Sequence, residues 1–116
     1  MSRAAGERAE RQAEEFLRQR GMTILARNFR TRSGEIDLVA QDGETVVFVE
    51  VRSRSSEAFG SPEETVTAVK RRRIIRTALA YAQSRGLDVP LRFDVVALSP
   101  RGILHIPGAF DAAGRP

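Results

Sequence analysis

The chain has 116 residues, no cysteine and a formal net charge of +4, and 18 of its 19 basic residues are arginine. This length removes roughly two-thirds of the unfolded surface from water in one domain, and a cysteine-free composition excludes disulfides and thiolate metal sites, in keeping with a reducing cytoplasm. The N-terminus is charged from Arg3 onward and no apolar run approaches a bilayer span, so the composition points away from secretion and membranes.

Residues 3–20 predict a helix: Ala9, Ala13, Phe16, Leu17 and Arg20 share one face by spacing, and Gly21 ends it. Residues 22–30 form a first strand. Residues 35–41 and 44–52 form two more, joined by Asp42-Gly43, a strong hairpin signal. A second helix starts at Ser61 as N-cap, with Pro62 in the first helical position and Glu64 completing a capping box. Ile74, Ile75, Ala78, Leu79 and Ala82 form its apolar face, and Gly86 ends it. Arg71 falls on that face without a packing reason. Residues 91–98 and 103–106 are the last two strands. The order helix, three strands, helix, two strands is that of a mixed sheet of α/β or α+β type, in a single domain.

The basic charge is clustered. Lys70, Arg71, Arg72, Arg73, Arg76 and Arg85 lie between Thr65 and Leu87 with no acid among them, and Arg27, Arg30 and Arg32 form a second such group. Clusters of this kind attract polyanions, nucleic acid above all; a solvated helix face is the other reading.

The hairpin poses a sharper question. With Asp42-Gly43 as the turn, Glu35 lies opposite Glu50, and Asp37 lies opposite Phe48, diagonal to Glu50. Alternation places Glu35, Asp37, Val39, Val46, Phe48, Glu50 and Arg52 on one face. Ile36, Leu38, Ala40, Val47, Val49 and Val51 share the other, which must pack on the helices. Acids crowded on one sheet face destabilise it unless a cation or proton intervenes. A divalent ion that prefers oxygen, Mg²⁺ or Mn²⁺, would meet that need. So would solvent, with Arg52 and Arg54 pairing the acids on a wet outer face.

An acid in the first helix, then GEID on a strand, then an apolar strand ending in E-x-K is the layout of PD-(D/E)XK nucleases. The chain resembles in particular the YraN-like family of small bacterial endonuclease-like proteins, related in fold to archaeal Holliday-junction resolvases. The resemblance covers nearly the whole chain: Gly6 and Glu10, Asn28 and Arg30, Gly34-Glu35-Ile36-Asp37, Phe48-Val49-Glu50-Val51 with Arg54, Phe59-Gly60 with Pro62, Lys70 with Arg73, residues 92–96, and His105 with Ala109-Phe110.

The resemblance implies a restriction-endonuclease-like core and hydrolysis of a phosphodiester that depends on Mg²⁺ or Mn²⁺. The expected substrate is DNA, branched or otherwise structured DNA included. Asp37 and Glu50 would be metal ligands, with the Val51 carbonyl as a third. Glu10 would face the site from the first helix, or else be a solvated helix acid like Glu7, Glu14 and Glu15. Glu35 would support the ion or pair with an arginine. Lys70, Arg71, Arg72, Arg73 and Arg76, with Arg30 and Arg54, would meet the nucleic-acid backbone. A homodimer would suit junction-type substrates by analogy with related folds.

One departure matters. Arg52 occupies the position of the motif lysine, and arginine keeps its proton at physiological pH, so it is no general base. Arg52 would orient a water, clamp the phosphate, or lock Asp37 and Glu50 into an inert ion-paired cluster. In the last case the protein is a catalytically inactive nucleic-acid-binding or scaffolding module. Lys70, the only lysine, reads as a phosphate contact or surface residue, or as an amine supplied from outside the sheet.

Other candidates are structural. His105, the only histidine, sits on a short strand, which leaves zinc without a ligand set. Asp94 needs a partner if buried, and Arg92 shares its face. Tyr81 and the phenylalanines lack the spacing of a base-stacking platform, and Ser33 and Ser53 have no neighbouring histidine to activate them.

Overall fold

The computed structural model describes residues 3–54 and 66–116. Its elements are α1 (Arg3–Gln19), β1 (Thr23–Thr31), β2 (Gly34–Asp42), β3 (Thr45–Ser53), α2 (Ala68–Ser84), β4 (Leu91–Ser99) and β5 (Gly102–Phe110). The five strands form one sheet in chain order, antiparallel except for β3 and β4, which run parallel and are linked through α2. This is the expected mixed sheet, and the expected order of elements. No helix among the described residues is long and apolar enough to cross a membrane.

α1 packs one face of the sheet through Ala9, Ala13 and Leu17, successive i+4 positions that lie against Leu38, Ala40, Val47, Val49, Val51, Val96 and Leu98. Its end is a Schellman motif: Gly21 N–H donates to the Arg18 carbonyl (2.9 Å) and Met22 N–H to that of Leu17 (3.1 Å). Met22 then joins Leu17 in the same cluster. Gly21 sits at φ 90°, and a Cβ there would meet nothing within 4 Å, so a side chain is opposed by the backbone alone. Gly21→Ala is expected to cost about 1–2 kcal/mol in urea denaturation; a change under about 0.5 kcal/mol would show that the cap relaxes.

α2 covers the other face, over a row of rings. Phe48 and Phe93 stack at 5.7 Å, Phe93 and Phe110 at 5.1 Å, and Tyr81 meets Phe29 and Phe48 edge-on. These aromatics are core, in line with their irregular spacing.

Several expectations need correction. The hairpin turn is Gly43-Glu44, not Asp42-Gly43: Asp42 pairs with Thr45 and Leu38 with Val49, and Gly43 at φ 61° takes the first turn position. The two expected faces of the hairpin hold except at Ile36. Ile36 belongs to the α2 side with Val39 and Phe48, whereas Leu38 lies on the α1 side, so alternation breaks at Asp37. Both faces are covered by helices, and the acids therefore sit at one end of a buried sheet rather than on a wet face.

The described α2 begins at Ala68, capped by Thr67, whose side chain accepts from the Lys70 N–H (3.2 Å); the expected cap at Ser61, Pro62 and Glu64 lies outside the described residues. Leu79 is exposed, and Thr77 and Tyr81 take its place on the buried face. β5 is longer than expected and runs to Phe110. Arg71, unexplained by spacing, is explained by hydrogen bonds to the carbonyls of Val66 (2.6 Å) and Gly114 (2.7 Å), which tie the C-terminal turn to the start of α2.

Candidate active site

The pairing of β2 with β3 ends at Leu38 and Val49. Just beyond it the Asp37 and Glu50 carboxyls meet within hydrogen-bond reach, where the sequence expected a diagonal pair. The Val51 N–H, which would otherwise continue the ladder, donates to Asp37 Oδ2 at 2.8 Å. On its other side β3 stays paired, with Glu50 beside Val95. Both carboxylates are thus held by strand backbone where the sheet opens.

Asp37 is half-buried, whereas Glu50 is fully so at 4% exposed. Burial, then the charge and hydrogen bond of Glu50, push the Asp37 carboxyl up to about 9 against a smaller opposing pull from the Val51 N–H, and the charge of Glu10 adds to the rise. At neutral pH Asp37 therefore keeps its proton, which it shares with Glu50. Glu50 in turn takes two cations on Oε2: Lys70 Nζ at 2.6 Å and Arg52 at 3.7 Å.

A cavity of about 380 Å³ opens over the pair, walled by Gly34 and Glu35 on one side and by Thr67, Val69, Lys70, Arg73 and Ile74 on the other. Gly34 allows this closeness. A Cβ there would stand 3.3 Å from the Arg73 Cβ and 3.4 Å from the Thr77 hydroxyl, so β2 and α2 meet without a side chain between them.

Glu10 lines a separate cavity with Asn28 and Arg27, near enough for its charge to act on Asp37, whereas Glu35 walls the cavity over Asp37 itself. Asn28 Nδ2 donates to both glutamates, at 2.9 and 3.2 Å, and Asn28 itself adopts φ 49°, a left-handed conformation costly for a residue with a Cβ. Glu35 also pairs with Arg30 at 3.2 Å. Sequence reasoning gave Asn28 no role, and a strained asparagine leaves no trace in hydrophobic periodicity. Glu14 is not the solvated acid expected: it is buried, and a bidentate Arg27 with Arg18 outweighs burial and lowers its carboxyl.

Among the basic residues, Arg72, Arg73 and Arg76 are exposed on α2 and Arg73 lines the cavity, whereas Arg71 is held by backbone carbonyls. Among the described residues no three of His, Cys, Asp or Glu converge as a ready metal cage. An ion at Asp37 and Glu50 would therefore take two carboxylates and complete its shell from backbone and water, the usual habit of Mg²⁺.

A family model described as "Uncharacterised protein family UPF0102" matches residues 9–98. The chain belongs to the UPF0102 family. A UPF0102 protein of Anaeromyxobacter dehalogenans is 51% identical over 97% of this chain and 88% of its own length. Another from Symbiobacterium thermophilum is 52% identical over 86% of each chain, and one from Geobacter metallireducens 44% identical over 97% and 96%. The UPF0102 segment spans α1 through most of β4, and so contains Glu10, Asn28, Glu35, Asp37, Glu50, Arg52 and Lys70.

Proposed function

We propose that this UPF0102 protein is a nucleic-acid-binding hydrolase that cleaves a phosphodiester of DNA with the help of Mg²⁺ or Mn²⁺. One observation carries the reading: two carboxylates, the buried Glu50 and the half-buried Asp37, meet at one end of the sheet, in a cavity whose far wall is basic. A fold gains no stability from such a pair, and a protein keeps it when an ion displaces the shared proton. Asp37, Glu50 and the Val51 carbonyl would hold that ion, which supplies an activated water and neutralises charge on the phosphate.

The chain's own residues bind and orient. Arg52, permanently charged, clamps the phosphate rather than taking a proton. Arg72, Arg73 and Arg76 track the backbone on either side, with Arg30 and Arg54 further along the surface. Glu10 and Glu35, fixed by Asn28, keep the local potential negative enough to favour a cation.

A second reading has its own observation. Lys70 and Arg52 already meet Glu50, and a protonated Asp37 needs no counterion, so the cluster is balanced without metal. The protein would then be an inactive binding module. Calorimetric titration with Mn²⁺ separates the two: the wild type is expected to bind at millimolar concentration or better, and Glu50→Ala not at all. If neither binds, the hydrolase reading is wrong. Cleavage of duplex, single-stranded and four-way DNA then identifies the substrate.

A further inference from the structure

We propose that Lys70 is the positioning cation of this site, doing from α2 what the motif lysine does from the strand: its ammonium holds the scissile phosphate and the attacking water against Asp37 and Glu50. The inference rests on the hydrolase reading above and names the residue that orients its substrate.

The position of Lys70 in its own helix is unfavourable. Thr67 is the N-cap, so Lys70 is the third residue of the first turn, where the helix dipole favours an acid and a capping box would place Glu. That turn contains no acid to offset the charge. A lysine there opposes local preference, and such conflicts concentrate at functional sites. What it gains is Glu50, 2.6 Å away across the cavity. Of the two cations on that oxygen, Lys70 makes the contact of hydrogen-bond length and Arg52 stands off at 3.7 Å.

The chemistry suits an amine. An ammonium carries three N–H groups on a compact, rotatable head, and Glu50 engages one, leaving two for a phosphate oxygen and a water. Its side chain is 43% exposed while that of Glu50 is 4%, so the amine is the part of the pair that an entering substrate meets. Arg73, one turn on, lines the same cavity and gives the phosphate a second cation. In the hydrolysis, a bond forms from water oxygen to phosphorus and the bond from phosphorus to the sugar oxygen breaks. The water's proton leaves to solvent, and the sugar oxygen takes one up from solvent; Lys70 and Arg52 hold and orient without taking either proton.

The test uses the full chain with Mn²⁺ and DNA, comparing wild type with Lys70→Gln, Lys70→Arg, Arg52→Lys and the double variant Arg52→Lys/Lys70→Gln. Lys70→Gln is expected to lower kcat about 100-fold or more, as loss of one pre-placed donor does, with Mn²⁺ and DNA affinities within about threefold. Lys70→Arg should retain part of the rate, and the double variant should regain at least about tenfold over Lys70→Gln, because an amine returns to the strand. A Lys70→Gln rate within about threefold of wild type overturns the proposal. So does a loss confined to DNA or Mn²⁺ affinity, or a double variant no faster than Lys70→Gln. A wild type that is silent while Arg52→Lys cleaves overturns it as well, but leaves the metal site standing. If wild type and Arg52→Lys are both silent and bind no Mn²⁺, the hydrolase reading itself falls.

Discussion

Asp37→Asn is expected to make the folded protein more stable and to abolish metal-dependent cleavage. An amide reproduces what the protonated carboxyl does: its oxygen accepts from the Val51 N–H and its nitrogen donates to Glu50. It cannot ionise, so the proton that folding must otherwise keep on Asp37 is no longer needed. The sign follows from linkage. A carboxyl raised to about 9 in the folded state opposes folding increasingly as pH climbs from its unfolded value toward that figure. Wild-type stability should therefore fall from about pH 4 to about pH 9 through this group, and the variant should lose that slope. At mildly alkaline pH the gain should be at least about 1 kcal/mol, roughly 4 °C in Tm for a chain of this size. Cleavage should drop by about 1000-fold, because a neutral amide is a poor ligand for Mg²⁺ and several kcal/mol of transition-state stabilisation go with it. A variant less stable than wild type at alkaline pH would mean that Asp37 is a structural ion, and the site reading would fail with it.

Asp94→Asn should do the reverse, destabilising the protein without touching the cavity. Asp94 is 1% exposed in the middle of β4 and takes four hydrogen bonds: Arg92 at 2.9 and 3.0 Å, His105 at 2.7 Å and the Gly108 N–H at 3.0 Å. Burial pushes its carboxyl up, but the His105, Arg92 and Gly108 contacts outweigh burial and hold it below the usual carboxylate range. The partnership expected between Arg92 and Asp94 is present, and His105 is the partner that the sequence did not suggest. Removing the charge leaves Arg92 with Asp42 alone and weakens the hydrogen bonds from Arg92, His105 and the Gly108 N–H, which costs about 1–3 kcal/mol. A carboxyl lowered by folding stabilises above its unfolded value, and that contribution is lost as pH falls through the folded value. The gap between wild type and variant should therefore be widest near neutrality and narrow in acid. A loss below about 1 kcal/mol at neutral pH would show that water replaces the carboxylate.

The places where sequence reading fell short share a cause. Gly43-Glu44 rather than Asp42-Gly43 forms the turn because either pair satisfies the local turn chemistry, and the two registers differ by two residues, which leaves every side chain on the same face, so alternation does not choose between them. Ile36 changes sides at the break beside Asp37, so alternation counted along the strand misplaces it. Leu79 and Tyr81 both fit the apolar face of α2 by spacing, and only the ring row of Phe29 and Phe48 selects Tyr81.

Periodicity, turn residues and caps act over a few residues, which is why the sequence by itself determined the seven elements, their order and the acids at the end of the hairpin. Only the tertiary structure decided which groups those acids meet. Lys70 reaches Glu50 because α2 docks on β2 at Gly34, and Asn28 joins Glu10 to Glu35 across three elements. These distances are set by packing between segments far apart in the chain, where each fraction of an ångström depends on every side chain in the layer between, and no local pattern encodes them.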